Sequence, residues 1–141
     1  MPLVGGGGAG NTAGGNPSGT GGSVNYIGEH AYANSGLLTI NNNETALLDF
    51  TTGPQYIVAK IQFNYAVSGS ANDDYAYRVK FDSQIIQEYV VTGATSGRDP
   101  TDNPLFCIIP PYTRIECTAQ NVTDTSSNVQ VVVLTGRVYN A

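Results

Sequence analysis

Hydrophobic and polar positions alternate along most of the chain from Val24 onward, and short polar segments interrupt the alternation. The clearest run is Gln55–Val67. Its apolar positions are Ile57, Ala59, Ile61, Phe63 and Tyr65, and Lys60, Gln62 and Asn64 stand between them. A period of two is typical of a strand that buries one face and exposes the other. This run therefore predicts a long strand at the surface of a core.

A second run with the same period follows after the polar segment Ser68–Asp73. Its predicted inward positions are Tyr75, Tyr77, Val79 and Phe81, and its predicted outward positions are Arg78 and Lys80. Ser68–Asp73 has the composition of a hairpin loop, so we expect the two runs to be adjacent strands. Asp82 and Ser83 then predict a tight turn into a further strand, Gln84–Val91.

The remaining predicted strands are shorter and less regular. They are Val24–Ala33, Gly36–Ile40, Glu44–Phe50, Leu105–Ile109, Tyr112–Ala119 and Asn128–Tyr139. Gly28 weakens the first of them, and we expect a bulge there. No segment shows a sustained 3.6-residue period with capping signals, so helix is not expected. The pattern predicts a single antiparallel β-sandwich of eight to nine strands, of jelly-roll or Ig-like type.

An uncharged, Gly-rich arm precedes the predicted sandwich. Residues 1–23 contain ten glycines and no charged side chain, so they cannot build a core and would be disordered as a free tail. Fixing each residue costs roughly 1–2 kcal/mol, and glycine loses the most freedom. We therefore divide the chain into an extended assembly arm, 1–23, and a sandwich domain, 24–141, and expect the arm to bind a neighbouring subunit. Its expected contact residues are Leu3, Val4, Gly5, Gly6, Gly7 and Gly8.

Two further segments are candidate contact sites. The chain has nine tyrosines and no tryptophan, and tyrosine is enriched both at interfaces and at the edge of thin cores. Tyr56 is the best interface candidate, since its parity directs it away from Ile57 and Ile61. The long loop Thr92–Pro104, with Arg98 and Asp99, fits either a contact loop or a plain surface excursion.

Composition argues against nucleic acid and membrane as direct partners. Charged residues make up 12% of the chain, against about 25% in typical domains, and the net charge is −5. Phosphate recognition uses Lys and Arg, of which there are six, dispersed along the sequence. No apolar run approaches the roughly 20 residues of a membrane span, and we recognise no signal peptide.

No constellation of residues predicts catalysis, a metal or a cofactor. His30 is the only histidine, and no nucleophile motif surrounds it, so we expect a structural role. The loop acids Asp73, Asp74, Asp99 and Asp102 lack calcium-loop spacing and are expected to be solvated. We therefore expect that the chain is not an enzyme.

The two cysteines allow two interpretations. If Leu105–Ile109 and Ile115–Ala119 form a hairpin, Cys107 lies opposite Cys117 and a disulfide is conceivable. Two small buried thiols are the interpretation we favour, because a cytosolic assembly keeps thiols reduced.

Several segments together resemble a known protein family. The Gly-rich arm, Val24–Ala33, Tyr56–Ile61, Ile108–Arg114 and Leu134–Tyr139 resemble small virion proteins of aquatic tailed bacteriophages. The resemblance implies an oligomeric capsid-associated β-sandwich, made in the host cytoplasm and located in the virion. Within that family, the uncharged arm and small domain favour a decoration, or cement, protein on the capsid surface over a genome-facing shell protein.

This interpretation implies that the partners are the major capsid protein or other virion proteins, and further copies of the chain itself. The resemblance and the threefold positions of a shell favour a homotrimer. Two alternatives stay open: a spike or fibre module that binds a host glycan or receptor, and a small coat protein of single jelly-roll type.

Overall fold

The computed structural model describes residues 24–67, 73–94 and 104–140, and this part of the chain is all β, without helix. It contains ten strands: β1 Val24–Ile27, β2 His30–Asn34, β3 Leu38–Ile40, β4 Thr45–Thr51, β5 Gln55–Val67, β6 Asp73–Phe81, β7 Gln84–Ala94, β8 Leu105–Ile109, β9 Arg114–Asn121 and β10 Asn128–Asn140. In the described ranges, no helix is present that has the length and apolar character to cross a membrane.

The strands form two antiparallel sheets that face each other in a sandwich. The small sheet has the order β4-β9-β6-β7. The large sheet has the order β1-β2-β10-β5-β8, and β3 pairs with β10 beyond the end of β2. All strand pairs are antiparallel, and β10 is the central strand of the large sheet. The predicted antiparallel β-sandwich is confirmed.

The alternation of apolar residues assigns the faces of the two most regular predicted strands correctly. On β5, Ile57, Ala59, Ile61 and Phe63 are buried, whereas Val58 and Lys60 are exposed. On β6, Tyr75, Tyr77 and Val79 are buried, and Phe81 packs against the same core at half burial. The core consists of the side chains that these two strands, and their neighbours, direct between the sheets. The hairpin that we expected between the two strands is wrong, because β5 lies in the large sheet and β6 lies in the small sheet, so the chain crosses between the sheets after β5.

Aromatic side chains join the two sheets at the centre of the sandwich. The ring of Phe63 on β5 lies 4.9 Å from that of Tyr77 on β6, and the Tyr77 ring lies 5.3 Å from that of Tyr89 on β7. The Tyr77 hydroxyl donates a 2.9 Å hydrogen bond to Oε1 of Gln130 on β10. Gln130 is fully buried, so this bond connects the sheets through the core.

The first predicted strand is in fact a hairpin, which raises the strand count from the expected eight or nine to ten. Ile27 pairs with His30, so a two-residue turn separates β1 from β2. Gly28 occupies the first turn position with φ of +59°, a conformation that glycine adopts at little cost. Gly28, which we expected to mark a bulge, therefore lies in the turn that separates the two strands.

The predicted turn at Asp82 and Ser83 is confirmed. Both residues have positive φ, at 48° and 70°, as the central residues of a type I′ hairpin turn require. Asp82 Oδ1 accepts a 2.9 Å hydrogen bond from the Arg114 backbone N–H, which ties this turn to the start of β9. The turn therefore fixes both the β6–β7 register and the position of a neighbouring strand.

The suggested hairpin between the two cysteine strands is wrong. β8 pairs with β5 in the large sheet, whereas β9 pairs with β4 and β6 in the small sheet, so the chain crosses between the sheets after Ile109. Both thiols are free; Cys117 is buried and Cys107 is half-buried. Burial raises the pKa of Cys107 to about 11, and it raises the pKa of Cys117 as well, with a smaller contribution from Cys107. The favoured interpretation, two small buried thiols, therefore holds in full for Cys117 and only in part for Cys107.

Candidate functional site

The outer face of the large sheet presents an unusually apolar set of side chains for a surface. Register and alternation place the following residues on it, among others: Asn25, Ile27, His30, Tyr32, Asn34, Tyr56, Val58, Lys60, Gln62, Phe106, Ile108, Val133, Thr135, Arg137 and Tyr139. Only three of these residues, Lys60, Arg137 and His30, are basic, and none is acidic. The face is therefore suited to burial against a partner, because few charges must be desolvated.

Apolar exposure concentrates where β5, β8 and β10 lie side by side. Phe106 is 70% exposed and Ile108 is 58% exposed, and both project from β8. Val58 on β5 pairs with Ile108 and is 43% exposed, and Tyr139 on β10 is 41% exposed. We call Tyr56, Val58, Phe106, Ile108 and Tyr139 the β8 patch. Contiguous exposed apolar residues of this kind mark interaction sites.

Tyr56 is part of this patch, as its parity predicted. It pairs with Tyr139 across the β5–β10 register, and the two rings stack at 5.4 Å with an interplanar angle of 19°. The Arg137 guanidinium lies 6.0 Å from the Tyr139 ring and donates a 2.9 Å hydrogen bond to Glu29. The charge beside the patch is thus balanced, and the two rings form a stacked aromatic pair on the outer face.

Two shallow hollows continue the face beyond the β8 patch. One, of about 220 Å³, is lined by Ile27, Tyr32, Ala33, Asn34, Val133 and Leu134. The other, of about 110 Å³, is lined by Lys60, Gln62, Val133 and Thr135. Val133 borders both hollows, which lie on either side of β10. The face therefore combines a stacked aromatic pair with hollows that side chains of a partner can fill.

A strained loop carries a further exposed aromatic residue at the end of the sandwich where β5 begins. Tyr112 follows Pro110 and Pro111, has φ of +53°, and is 72% exposed. Its backbone N–H donates a 2.9 Å hydrogen bond to the Gly53 carbonyl. Thr52 holds the same loop, since its hydroxyl donates to the Pro110 carbonyl at 2.7 Å. Strained, well-anchored positions often belong to functional surfaces.

The outer face of the small sheet has a different character, because its charges are paired. Glu44 accepts from Lys80 at 2.7 Å and lies 3.6 Å from Arg78, which also pairs with Glu88. Burial alone would raise the pKa of Glu44, but the hydrogen bonds and charges of its partners hold it below its usual value. At the sheet edge, the bidentate hydrogen bond from Arg114 lowers the pKa of Asp49. The small sheet thus carries an ionic network, beside which Ile85, Ile86 and Val90 of its edge strand β7 are exposed.

A polar hollow of about 440 Å³ lies at the end of the sandwich between the β3–β4 and β9–β10 loops. It is lined by Asn42, Gln120, Asn121, Val122, Thr123, Asp124 and Thr125. Asn121 is buried and organises the loop, because its amide donates to Asp73 at 3.1 Å and its Oδ1 accepts from the Thr123 backbone at 2.9 Å. A backbone hydrogen bond from Ser126 lowers the pKa of Asp124. Within the described residues, no three His, Cys, Asp or Glu side chains cluster as a metal site.

The structure describes only part of the sequence-predicted contact set. Tyr56 lies on the outer face, and Cys107 and Cys117 lie in opposite sheets. The remaining predicted contacts lie outside the described residues: Leu3, Val4, Gly5, Gly6, Gly7, Gly8, Arg98 and Asp99. Phe106 and Ile108 were not among the contact residues predicted from the sequence. Their signal was present, since Leu105–Ile109 is apolar at every position, and an edge strand of a two-layer sandwich can bury only one of its faces.

Comparisons with known proteins give remote structural similarities alone. No family model matches the sequence, and no curated protein matches it. Among solved structures, the chain is similar to the infectious bursal disease virus VP2 subviral particle, with 16% identity and a TM-score of 0.40, over 77% of this chain and 32% of that chain. It is also similar to a structure of the Gx strain of that virus, with 18% identity and a TM-score of 0.28 over 77% of this chain and 29% of the other.

The chain thus spans about a third of the length of the solved chains that it matches. Neither structure is described as a bacteriophage protein, so the similarity to tailed bacteriophages stays a prediction from the sequence.

Proposed function

We propose that the chain is a virion structural protein that binds the outside of a viral shell and stabilises it as a decoration, or cement, protein. The observation that carries this proposal is the outer face of the large sheet, where the β8 patch exposes apolar and aromatic side chains beside balanced charges. An apolar face of this kind favours a permanent contact with another protein surface. No catalytic group is assigned.

The resemblance stated above supplies the viral context, and the composition of the chain agrees with it. A low charge content reduces the desolvation penalty of extensive contacts. We expect the arm, residues 1–23, to extend the attachment along the shell, because glycine allows close approach of two backbones. Several copies joined in one small oligomer, a trimer in our proposal, would multiply the attachment through effective concentration.

The test compares attachment of two matched variants to virus particles that carry the protein. Val58→Asp removes an apolar side chain from the β8 patch and places the carboxylate opposite Arg137, so we expect it to fold. Its particle binding should fall at least tenfold. Ile85→Asp makes the same kind of change at a similarly exposed site on the small sheet and should bind like the wild type. Equal binding of both variants would contradict the assignment of this face.

Particles provide a second readout of the cement role. Particles that lack the protein should lose their genome at a lower temperature than complete particles, and protein without residues 1–23 should fail to restore the difference. Identical heat resistance with and without the protein would end the cement proposal. The polar hollow around Asn121 favours a glycan-binding module as the second candidate, and saturable binding of a sugar by the isolated protein would support that function instead.

A further inference from the structure

β8 is an edge strand, and nothing in its sequence opposes pairing with a further strand. Leu105–Ile109 has no charge and no proline, so all five residues retain a backbone N–H. Among the described strands, β8 pairs with β5 alone and forms one edge of the large sheet. Pro104 and Pro110 bound it on both sides and restrict any added pairing to these five residues.

Both edges of the small sheet carry features that discourage such pairing, whereas β1, the other edge of the large sheet, is uncharged like β8 but has only four residues. β4 and β7 form the edges of the small sheet, and they carry Asp49 and Glu88 respectively. The pairing of each of these two strands with its neighbour also contains a register shift. Charges and irregularities at sheet edges protect proteins from edge-to-edge association. β8 has neither, and its outward side chains are the exposed Phe106 and Ile108.

We propose that β8 pairs with β8 of a second copy of this chain, antiparallel and around a two-fold axis that passes beside Cys107. This inference rests on the proposed function as an assembly protein and names the contact through which two copies join. In this register, Phe106 lies opposite Ile108 of the second copy, and the reverse pair follows by symmetry. Both cross-strand pairs are apolar and lie on the outer face, where such pairs stabilise a sheet.

The charges nearest to β8 are compatible with this symmetry. Lys60 pairs with Phe106, and Val58 pairs with Ile108, in the β5–β8 register. On the outer face, the side chains that lie in one line across the contact are therefore Lys60 and Phe106 of one copy, followed by Ile108 and Val58 of the second copy. Symmetry generates a second line with the two copies exchanged. The two Lys60 residues fall in different lines and at least three strand spacings apart, about 14 Å. This separation exceeds the screening length of about 8–10 Å in ordinary salt, so the contact has no strong like-charge repulsion.

The proposed pairing also enlarges the surface that the proposed function uses. Two large sheets become one continuous sheet, and the two β8 patches become neighbours on the same outer face. A shell would then meet one broad apolar surface rather than two separate ones. This two-fold contact is distinct from the threefold contact of the proposed trimer, so it links copies that belong to adjacent oligomers.

Cys107 offers a direct test of the register. Opposed residues in an antiparallel pair have Cα atoms about 4.5–5.5 Å apart, within the 4.4–6.8 Å range of disulfides. Mild oxidation of the full chain with copper phenanthroline, which takes up the two electrons while two protons leave, should join Cys107 to Cys107 of the second copy. Because burial raises the pKa of this thiol to about 11, the reaction is run at alkaline pH. Cys107→Ser should yield no covalent dimer.

A second measurement does not depend on thiol reactivity. Five-residue strands bury less than the roughly 800 Å² per partner of a standard interface, so we expect weak association and use sedimentation equilibrium up to about 100 µM. The average mass of the wild type should rise with concentration. Phe106→Lys should need an at least tenfold higher concentration to reach the same average mass. Ile86→Lys, at an exposed position of β7, should behave like the wild type.

Two results would overturn the proposal: equal concentration dependence of the mass in wild type and Phe106→Lys, or a covalent dimer that survives in Cys107→Ser. The Val58→Asp variant separates this proposal from the proposed function. Since Val58 does not cross the two-fold contact, Val58→Asp should retain the Cys107-linked dimer while it loses particle attachment. Loss of both at once in a folded Val58→Asp protein would contradict the two-fold register.

Discussion

Gly136 illustrates how closely single residues are constrained in the large sheet. It lies on β10 between Ala31 of β2 and Ala59 of β5, in a row of small residues. A Cβ at this position would lie 2.6 Å from Ile57 Cγ2 and 2.8 Å from the Val58 carbonyl oxygen. The side-chain methyl can move, but the backbone oxygen is held by the sheet. Glycine is therefore required here for packing, not for a turn.

We predict that Gly136→Ala lowers the free energy of unfolding by about 1–3 kcal/mol, the usual effect of overpacking a close-packed core. Urea unfolding of the purified protein measures the change. Thr135→Val, at the adjacent exposed position of the same strand, is the control and should change stability by no more than about 0.5 kcal/mol. If both variants unfold at the same urea concentration as the wild type, the close approach at Gly136 is not real.

Residue faces on the regular strands follow from the sequence, whereas this constraint does not. Ile57, Ile61 and Val79 are assigned to the core by alternation alone, because burial on one face is a local property of a strand. Nothing near Gly136 in the sequence indicates that Ile57 and Val58, almost eighty positions earlier, occupy the space that a Cβ would need. Contacts between distant segments require the fold.

At the scale of elements, the small sheet is stabilised on its outer face by charges that several strands share. Glu44 precedes β4 and accepts hydrogen bonds from Lys80 of β6 and from the Thr118 hydroxyl of β9, the latter at 2.6 Å. Arg78 extends the network to Glu88 on β7 and to Gln120 on β9. Three of the four strands, β6, β7 and β9, and the residue that leads into β4 thus share one ionic cluster.

We predict that Glu44→Gln makes the stability less dependent on pH in acid. The pKa of Glu44 is lowered in the fold, so its carboxylate stabilises the protein above the unfolded pKa. This contribution is lost as pH falls through the folded pKa. The midpoint of urea unfolding should therefore decrease between about pH 6 and about pH 3 in the wild type, and less in Glu44→Gln.

Glu29→Gln serves as the control for this measurement, because the Glu29–Arg137 pair lies on the exposed turn after β1 and is screened by solvent. It should follow the wild-type pH dependence. Parallel curves for wild type and Glu44→Gln would show that the cluster does not couple protonation to folding.

The ends of strands were predicted correctly where the sequence allows only one type of turn, and wrongly where a glycine fits both a bulge and a turn. Asp82 and Ser83 lie between two alternating runs, a signal that only a tight hairpin turn satisfies. Gly28 is compatible with a bulge or with a turn, and its local sequence does not distinguish them. The pairing of Ile27 with His30 decides in favour of the turn, and that pairing is known only from the structure.

At the scale of the whole molecule, a buried hydrogen bond within the aromatic cluster connects the two sheets. The Tyr77 hydroxyl donates to Gln130 Oε1, and the Gln130 amide donates to Asn128 Oδ1 at 2.9 Å. Both Tyr77 and Gln130 are fully buried. Polar groups at this depth must be satisfied, since water cannot replace a lost partner.

We predict that Tyr77→Phe lowers the free energy of unfolding by about 1–3 kcal/mol, because Gln130 Oε1 keeps its burial and loses a donor. Thermal or urea unfolding measures the loss. Tyr56→Phe removes the same atom from the half-buried outer face and should change stability by no more than about 0.5 kcal/mol. Equal effects of the two substitutions would mean that the inter-sheet bond contributes nothing beyond an ordinary surface hydroxyl.

Which strands pair with each other could not be predicted from the sequence, because pairing is a contact between distant segments. β8 and β9 are neighbours in the chain and were expected to form a hairpin, yet they lie in different sheets. β8 instead pairs with β5, so that Ile109 lies opposite Ile57. Alternation specifies which face a strand buries but not which strand lies beside it. The sequence alone therefore could not show that the residues of the β8 patch lie side by side.

The position of β10 has a consequence for synthesis. It is the last of the ten described strands to leave the ribosome, yet it pairs with β2, β3 and β5 at the centre of the large sheet. Until Asn128–Asn140 has been translated, β2 and β5 have no strand between them, and the apolar faces of both lack their central partner. The large sheet can therefore close only once Asn128–Asn140 has been made, and until then the strands on either side of β10 are exposed to non-native pairing, as in other folds that depend on contacts between distant segments.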